Sequence, residues 1–596
     1  MMQDKTGPAT PRGPRLLTML LPFLGLLVLA LVLPLFGNDY WALIASRAAI
    51  YWVLVAGLNL IVGFAGQLAI GYVAMLTLGA YTTSVLAAGT VLPEMSPFLA
   101  LACAGGVGAV AGLVIGLPAL RLRTFYFAMT TLGFATIVTQ VALAWQDVTG
   151  GGIGIPGPAF PAPFDDAWGL YYLCLGFAVV ATILAGNVGR SRFGRALIAI
   201  RDAEVAAEAA GISKPWLLTF VFLFAGAMAA VAGGLFAGLQ TYITPEAFTF
   251  ELSLLFFIAV LIGGRGSVLG PMLGTLLLTL LPEIAAPLAA WSTLLYAVML
   301  LAIVLAVPGG IAALLDVGRR RKLPADRGIL PQPAALGALL GRRAVPPPLR
   351  LQGITLQFGG LRAIDGLDLT IQPREVHGLI GPNGSGKTTT LNVISGFYSA
   401  QEGSLALGDV AMAAGHPESR ASHGISRTFQ TLRIVGEATV LQNVMVGGTI
   451  SGRASFAEAM LWLPRQAADE ARLTADARLA LRAVGLEAMA DVRADRLQHS
   501  ELRFVEIARG LMLRPTYLLL DEPAAGLSGE EIRRLGQLIR EISAHGTGVL
   551  LVEHHADLIF DICGYVTVLN LGRVLAEGTP AEVRANKEVI SAYLGA

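Results

Sequence analysis

The sequence predicts a polytopic α-helical membrane domain followed by an α/β domain built on a phosphate-binding loop. Three observations carry that prediction. Charged residues are only 14% of the 596-residue chain, against about 25% in an ordinary soluble protein, and the mean hydropathy is +0.66. The charge deficit is uneven: apolar blocks fill the first half, and all seven histidines lie at or after His377. The second half then carries a glycine-rich strand–loop–helix pattern at 381–388.

Taken in order, the first half divides into ten apolar segments, at 16–36, 46–64, 68–90, 97–119, 125–145, 170–188, 217–239, 252–264, 271–290 and 292–311. Only a Gly-Gln turn separates 64 from 68, so the count is nine or ten. The first segment follows Lys5, Arg12 and Arg15. It is long enough to span a bilayer and ends in Phe36-Gly37-Asn38-Asp39, with no small-x-small cleavage pattern. A retained helix is therefore expected. With the N-terminus in the cytoplasm, Arg121, Arg123, Arg190, Arg192, Arg195, Arg201, Lys214, Arg265 and Arg319–Lys322 all fall inside. Asp39, Glu94, Asp147, Asp165, Asp166, Glu246 and Glu251 fall outside, and Arg47 breaks the pattern. This is the positive-inside distribution. A net charge of +1 gives no sign of nucleic-acid binding. Cys103, Cys174 and Cys563 have no metal-site spacing.

The expected division is a transmembrane domain at 1–318, a Pro/Arg-rich linker at 319–348 and a nucleotide-binding domain at 349–596. Pro324, Pro331, Pro333 and Pro346–Pro348 make the linker read as extended and semi-rigid.

The strand Val376–Ile380 runs into Gly381-Pro382-Asn383-Gly384-Ser385-Gly386-Lys387-Thr388 and a helix from Thr389. Glycines let backbone N–H groups close on phosphate oxygens, and the helix N-terminus adds partial positive charge. Lys387 is the candidate for the β- and γ-phosphates, and Thr388 for Mg²⁺. About 130 residues on, the apolar strand Tyr517–Leu520 delivers Asp521-Glu522-Pro523. Asp521 is a candidate Mg²⁺ ligand, and Glu522 a candidate general base for water. Gln430 and His554 are candidates for Mg²⁺ and γ-phosphate contact. Phe358 is a candidate adenine stack, with a core aromatic as the alternative. ATP and Mg²⁺ are the implied cofactors.

These motifs are accompanied by Phe358-Gly-Gly-Leu-Arg-Ala-Ile, Gly424-Ile-Ser-Arg-Thr-Phe-Gln430, Asp521-Glu-Pro-Ala-Ala-Gly-Leu527 and Val552-Glu-His554. With them the second half resembles the ATP-binding subunits of high-affinity branched-chain amino acid ABC importers. The first half resembles their permease subunits. That likeness rests on Gly57-Leu-Asn-Leu-Ile-Val-Gly63, Gly71-Tyr-Val-Ala, Leu120-Arg-Leu-Arg123, Thr131-Leu-Gly133, Gly194-Arg-Ala-Leu-Ile-Ala-Ile-Arg201 and Gly263-Gly-Arg-Gly-Ser-Val-Leu-Gly-Pro271. The resemblance implies an α/β ABC ATPase domain behind about ten spans, in a bacterial inner membrane. It also implies a periplasmic solute-binding protein, a second permease and a second ATPase as partners, with the ATPase domain cytoplasmic. The loop 190–214 would be the coupling element, with Gly194, Arg195, Arg201, Asp202, Glu204 and Gly211 as its candidates and a short helix in the Ala/Glu-rich stretch 202–210.

One departure from the family pattern stands out. Where a Leu-Ser-x-Gly-Gln signature is usual, the chain has Leu497-Gln498-His499-Ser500-Glu501. Gln498 replaces serine, Ser500 glycine and Glu501 glutamine, so a carboxylate is expected near the γ-phosphate held by the opposite subunit. That charge argues for a heteromeric complex.

The spans are nearly free of charge apart from Glu283, which fits ATP as the energy source and an uncharged or zwitterionic cargo. Asn59, Gln67, Thr130, Thr131 and Gln140 either line a path or bridge helices. The leading reading is ATP-driven import of branched-chain amino acids or a similar small hydrophobic solute. Relatives carrying urea, amides or aromatic acids are the alternative, with an exporter half or a nucleotide-binding regulator as the rivals in other classes.

Overall fold

The helices and strands were read from a computed structural model. It describes residues 14–35, 37–122, 124–285, 309–316, 332–341, 345–413 and 415–594, with isolated positions between 291 and 305. The chain divides into two compact units. One holds residues up to 63, 67–185 and 221–318, and the other 64–66, 186–220 and 319–596.

In the first unit, nine of the ten apolar segments fall on helices: Pro14–Val32, Asp39–Asn59, Val73–Ala87, Pro97–Ala119, Thr124–Ala144, Ala167–Arg190, Lys214–Leu239, Phe250–Gly263 and Leu269–Ala285. Of the tenth, at 292–311, only isolated positions and residues 309–311 are described, and Arg123 and the basic run Arg319–Lys322 lie outside the described residues. Among the described residues six helices are long and apolar enough to cross a membrane, and three shorter ones are apolar. The break near 64–68 is more than a turn. The second helix closes in a π-helical turn at Leu60–Phe64, and the next helix begins only at Val73.

Close helix packing uses glycine. A Cβ on Gly112 would sit 2.2 Å from the Phe222 carbonyl oxygen, and one on Gly226 would sit 2.2 Å from that of Gly108. The spacing Gly108-xxx-Gly112 therefore brings two backbones together, as small residues do where lipid supplies no hydrophobic drive between helices. Polar residues serve the same packing. Asn59 Nδ2 donates to the Ser267 carbonyl at 2.8 Å, and Thr131 Oγ1 accepts from the Gly71 N–H at 3.2 Å. Both bridge elements far apart in sequence, whereas Thr130 bonds only within its own helix and is exposed, like Gln140. Glu283 accepts a hydrogen bond from the Tyr40 hydroxyl.

The second unit is built on a six-stranded sheet. Its strand order is Arg573–Gly578, Tyr565–Asn570, Val376–Ile380, Gly548–Val552, Tyr517–Asp521, Ile425–Arg427. All its pairings are parallel except the first. Strands buried on both faces need continuous apolar runs, and Val376–Ile380, Tyr517–Asp521 and Gly548–Val552 are buried at every position. Val552 is in register with both Leu379 and Asp521. That register brings the phosphate loop, the acidic pair and His554 to one end of the sheet. A four-stranded antiparallel sheet, led by Leu349–Phe358 and Leu361–Ile371, packs beside it.

The linker differs from its extended reading. Residues Pro333–Leu340 form a helix whose Ala335, Leu336, Leu339 and Leu340 are buried in the main apolar core of this unit, with Leu473, Ala477 and Leu481 of the helix Pro464–Ala483. Proline at the first helical position needs no N–H partner, so it starts this helix instead of breaking it. The rest of the linker up to 331 lies outside the described residues.

Candidate functional site

The phosphate loop leaves the buried strand at Gly381, where φ is 150° and a Cβ would lie 2.1 Å from the Leu569 carbonyl oxygen. At Gly386 φ is 102°, and a Cβ would lie 2.6 Å from the Ala363 carbonyl. Only glycine satisfies both the dihedral and the space. The loop delivers the chain to the helix Lys387–Ile394. Lys387 Nζ donates to the carbonyls of Gly381 and Pro382 at 2.8 and 3.0 Å, which holds the ammonium inside the loop. Asn383, Gly384 and Thr388 are exposed on its rim, Thr389 is half-buried, and Ser385 Oγ is buried without a protein partner.

The acidic pair sits where the neighbouring strand ends. Glu522 has φ 48°, a conformation uncommon for a residue with a side chain. Its N–H donates to Val552 O at 2.8 Å. Its carboxylate accepts from Gln430 Nε2 at 2.9 Å and hydrogen-bonds His554 Nε2 at 2.9 Å. Three candidates far apart in sequence thus meet at one carboxylate. Strained backbone of this kind persists where surrounding contacts over-determine it, here the bond to Val552 and the two side-chain partners.

Asp521 is buried, and burial raises its carboxyl above the usual range while Arg427 opposes the rise. Oδ2 accepts from Arg427 Nη2 at 3.1 Å, while Oδ1 is buried with no protein partner. With the Thr388 hydroxyl and the Gln430 amide oxygen this makes an all-oxygen donor set, which fits Mg²⁺. The orphaned Oδ1 is the observation that supports the fit. When bound, the ion would neutralise charge on the terminal phosphates.

Phe358 is 45% exposed on its strand, with the Tyr398 ring 5.1 Å away. Its exposure leaves a face for a planar base and disfavours the core-aromatic alternative.

The altered signature departs from its expected electrostatics. Gln498 is the N-cap of the helix His499–Leu511, and Glu501 closes a reciprocal capping box by accepting from the Gln498 N–H at 2.7 Å. Glu501 is 1% exposed. Its carboxylate is turned back onto its own helix start, so the charge expected beside a γ-phosphate is used as a cap. Ser500 is buried near the same end. Further along this helix the buried Glu506 pairs with Arg503 and Arg509 at 3.1 and 3.3 Å. Arg503 donates to the carbonyls of Phe429 and Gln430, which fixes the glutamine loop.

The loop between the first unit's helices folds with the ATPase elements. It forms the helix Arg192–Ala209, longer than the short helix expected, with a break at Ala203. Gly194 starts it against Gly189, whose carbonyl oxygen a Cβ would meet at 2.3 Å. Arg195, 9% exposed, pairs with Glu470 at 2.8 Å. Arg192 donates from its backbone to Glu470 at 2.7 Å and from its guanidinium to the carbonyls of Thr449, at 2.9 Å, and Ala454. Arg201 pairs with Asp202 at 2.7 Å and Glu437 at 3.5 Å, Lys214 pairs with Glu204, and Gly211 (φ 83°) lies against Ile450. Ala203, Ala206 and Ala209 pack on Phe429, the residue before Gln430. A continuous set of contacts therefore runs from this helix to the Glu522 carboxylate.

Comparison with known proteins fits both halves. Residues 40–308 match the family model "Branched-chain amino acid transport system / permease component", 364–525 match "ABC transporter", and 573–596 match "Branched-chain amino acid ATP-binding cassette transporter". The chain is 37% identical over 250 residues to the high-affinity branched-chain amino acid transport ATP-binding protein LivG of Escherichia coli K12, covering 42% of this chain and 98% of the relative. The chain belongs to the branched-chain amino acid ABC transporter family. BraF of Pseudomonas aeruginosa is 38% identical over 252 residues, covering 42% of this chain and 98% of the relative. The probable LivG of Methanocaldococcus jannaschii is 31% identical over 253 residues, covering 41% and 97%.

This ABC transporter fuses permease and ATP-binding parts in one chain and hydrolyses ATP coupled to transport. Its sequence made Lys387, Asp521, Glu522, Gln430 and His554 legible and left four residues unseen. Arg427, Arg192 and Glu506 are ordinary charges until the fold buries them, and Glu470 is one until the fold pairs it with Arg195.

Proposed function

We propose that this transporter imports branched-chain amino acids, or a similarly small hydrophobic zwitterionic solute, across a bacterial inner membrane at the expense of ATP. The observation that carries the reading is the meeting of Gln430 and His554 on the Glu522 carboxylate, beside a phosphate loop with Lys387 at its centre. Glu522 takes a proton from the attacking water, His554 holds that carboxylate and contacts the γ-phosphate, and Lys387 draws the β- and γ-phosphates into the loop. Thr388, Gln430 and Asp521 hold Mg²⁺, and Phe358 stacks on adenine. The helix Arg192–Ala209 passes permease movement to the glutamine loop through Phe429.

A complete transporter needs two permease and two ATPase halves, of which this chain supplies one each, and a solute-binding protein delivers the cargo. A second permease and a second ATPase subunit are the proposed partners. The capped Glu501 removes the charge repulsion that disfavours a homodimer, so the case for a heteromer rests on Gln498 and Ser500 alone.

The test is ATP turnover and ATP binding in purified transporter. Glu522→Gln retains binding and loses turnover by about 10²-fold or more, the usual worth of a general base. Lys387→Ala weakens binding itself. Equal turnover in wild type and Glu522→Gln would sink the assignment.

A further inference from the structure

Arg427 is a buried cation to which the functional reading gives no role. It ends the edge strand Ile425–Arg427, and its side chain is 3% exposed. Nη2 donates to Asp521 Oδ2 at 3.1 Å. Nη1 donates to Asn392 Oδ1 at 2.6 Å and to Ser395 Oγ at 2.8 Å, both at the far end of the phosphate-loop helix Lys387–Ile394. The planar group lies over the rings of Phe397 and Phe429, 5.9 and 5.0 Å from their centroids. Those rings are 6.0 Å apart, and Ala203, Ala206 and Ala209 of the helix Arg192–Ala209 pack against them.

We propose that Arg427 is a positioning residue that links the docking of the helix Arg192–Ala209 to the orientation of Asp521. The inference rests on the reading of Asp521 as a Mg²⁺ ligand. One arm of the fork engages Oδ2 and leaves Oδ1, a buried oxygen with no protein partner, for the cation. The other arm is anchored on the phosphate-loop helix, so the strand bearing Asp521 and the helix bearing Thr388 are held at one spacing. The Phe429 and Phe397 rings, inclined at 72° to each other, wall the guanidinium on two sides. A shift of Phe429 or Phe397 under the alanine face of the docked helix therefore tilts the fork, and a hydrogen bond weakens steeply as its angle closes. Lysine cannot substitute, because a single ammonium lacks the rigid fork that reaches Asp521 with one nitrogen and Asn392 with another. Ligand orientation by a neighbouring group is worth about 10- to 100-fold in metal affinity.

The experiment uses the full chain in nanodiscs and reads Mn²⁺ affinity by electron paramagnetic resonance with ADP present. Nucleotide affinity without metal is measured beside it, with a fluorescent ATP analogue in EDTA. Arg427→Lys is expected to lose about tenfold or more in Mn²⁺ affinity while metal-free nucleotide affinity stays within about twofold of wild type. Ala206→Leu, remote from the metal and pressing on Phe429, is expected to lower Mn²⁺ affinity in the same direction by a smaller factor, and it stands as the test if Arg427 variants do not fold. Unchanged Mn²⁺ affinity in Arg427→Lys overturns the positioning role, and unchanged affinity in Ala206→Leu overturns the link to docking. Wild-type protein that binds nucleotide but no Mn²⁺ overturns the Mg²⁺ reading of Asp521 and the inference with it.

Discussion

Removing the Arg195 guanidinium should uncouple ATP turnover from cargo. In Arg195→Ala, Glu470 loses its partner at 2.8 Å in a site where the two side chains are 9% and 14% exposed. Removing one member of a buried pair costs about 3–5 kcal/mol, because the other is left uncompensated. Glu470 keeps the Arg192 N–H at 2.7 Å and Gln466 Nε2 at 3.0 Å, so the lower end applies. A loss of about 3 kcal/mol is a factor of about 100 in the docking equilibrium of the helix Arg192–Ala209. The assay is ATPase activity in nanodiscs with and without solute-loaded binding protein, and the readout is the ratio of stimulated to basal turnover. The ratio should fall towards one in Arg195→Ala. It should recover in large part in Arg195→Leu/Glu470→Leu, since replacing both partners removes the uncompensated charge. A wild-type ratio in Arg195→Ala would refute the reasoning.

Leu339→Ala, in the linker helix, removes a side chain 1% exposed in the ATPase core and should cost about 2–5 kcal/mol. A lowered thermal midpoint of the ATPase half checks it, whereas an extended linker would give no change. His377, buried beside Thr567, is held down to about 4 by burial. Below the ordinary histidine pKa of about 6.5 the unfolded chain takes up a proton that the folded chain refuses, so stability is full above that value and falls by about 2 kcal/mol between pH 7 and 5. His377→Gln should flatten that dependence in unfolding curves at the two pH values. For the topology, a cysteine at Asp165 should react with an impermeant thiol reagent in intact cells and one at Arg121 should not. The reverse labelling would overturn the orientation.

The parts of the fold legible in the sequence are those that local chemistry dictates. The phosphate loop is readable because only glycine tolerates the backbone at Gly381 and Gly386, and the strands beneath it because burial on both faces requires unbroken apolar runs. The linker helix was hidden by its prolines, although Leu336, Leu339 and Leu340 stand at helical spacing behind Pro333. Arg195 and Glu470 are 275 residues apart, and Arg427 and Asp521 are 94 apart. No local pattern announces such pairs. Glu501 shows the opposite failure: its type was read correctly, but its carboxylate is spent on the N–H of the N-cap residue Gln498 at the start of its own helix.

The central claim is that ATP turned over at Glu522 drives inward movement of a small hydrophobic solute. The most direct measurement is uptake of radiolabelled leucine, isoleucine and valine into proteoliposomes. They would hold the transporter with its partner subunits, with Mg²⁺ and ATP on the side of the ATPase domain and binding protein on the other. Urea, an aliphatic amide and an aromatic amino acid serve as competing cargoes. The account predicts ATP-dependent accumulation of the branched-chain amino acids, abolished by Glu522→Gln. Equal accumulation in Glu522→Gln, or ATP-dependent movement in the opposite direction, would contradict it.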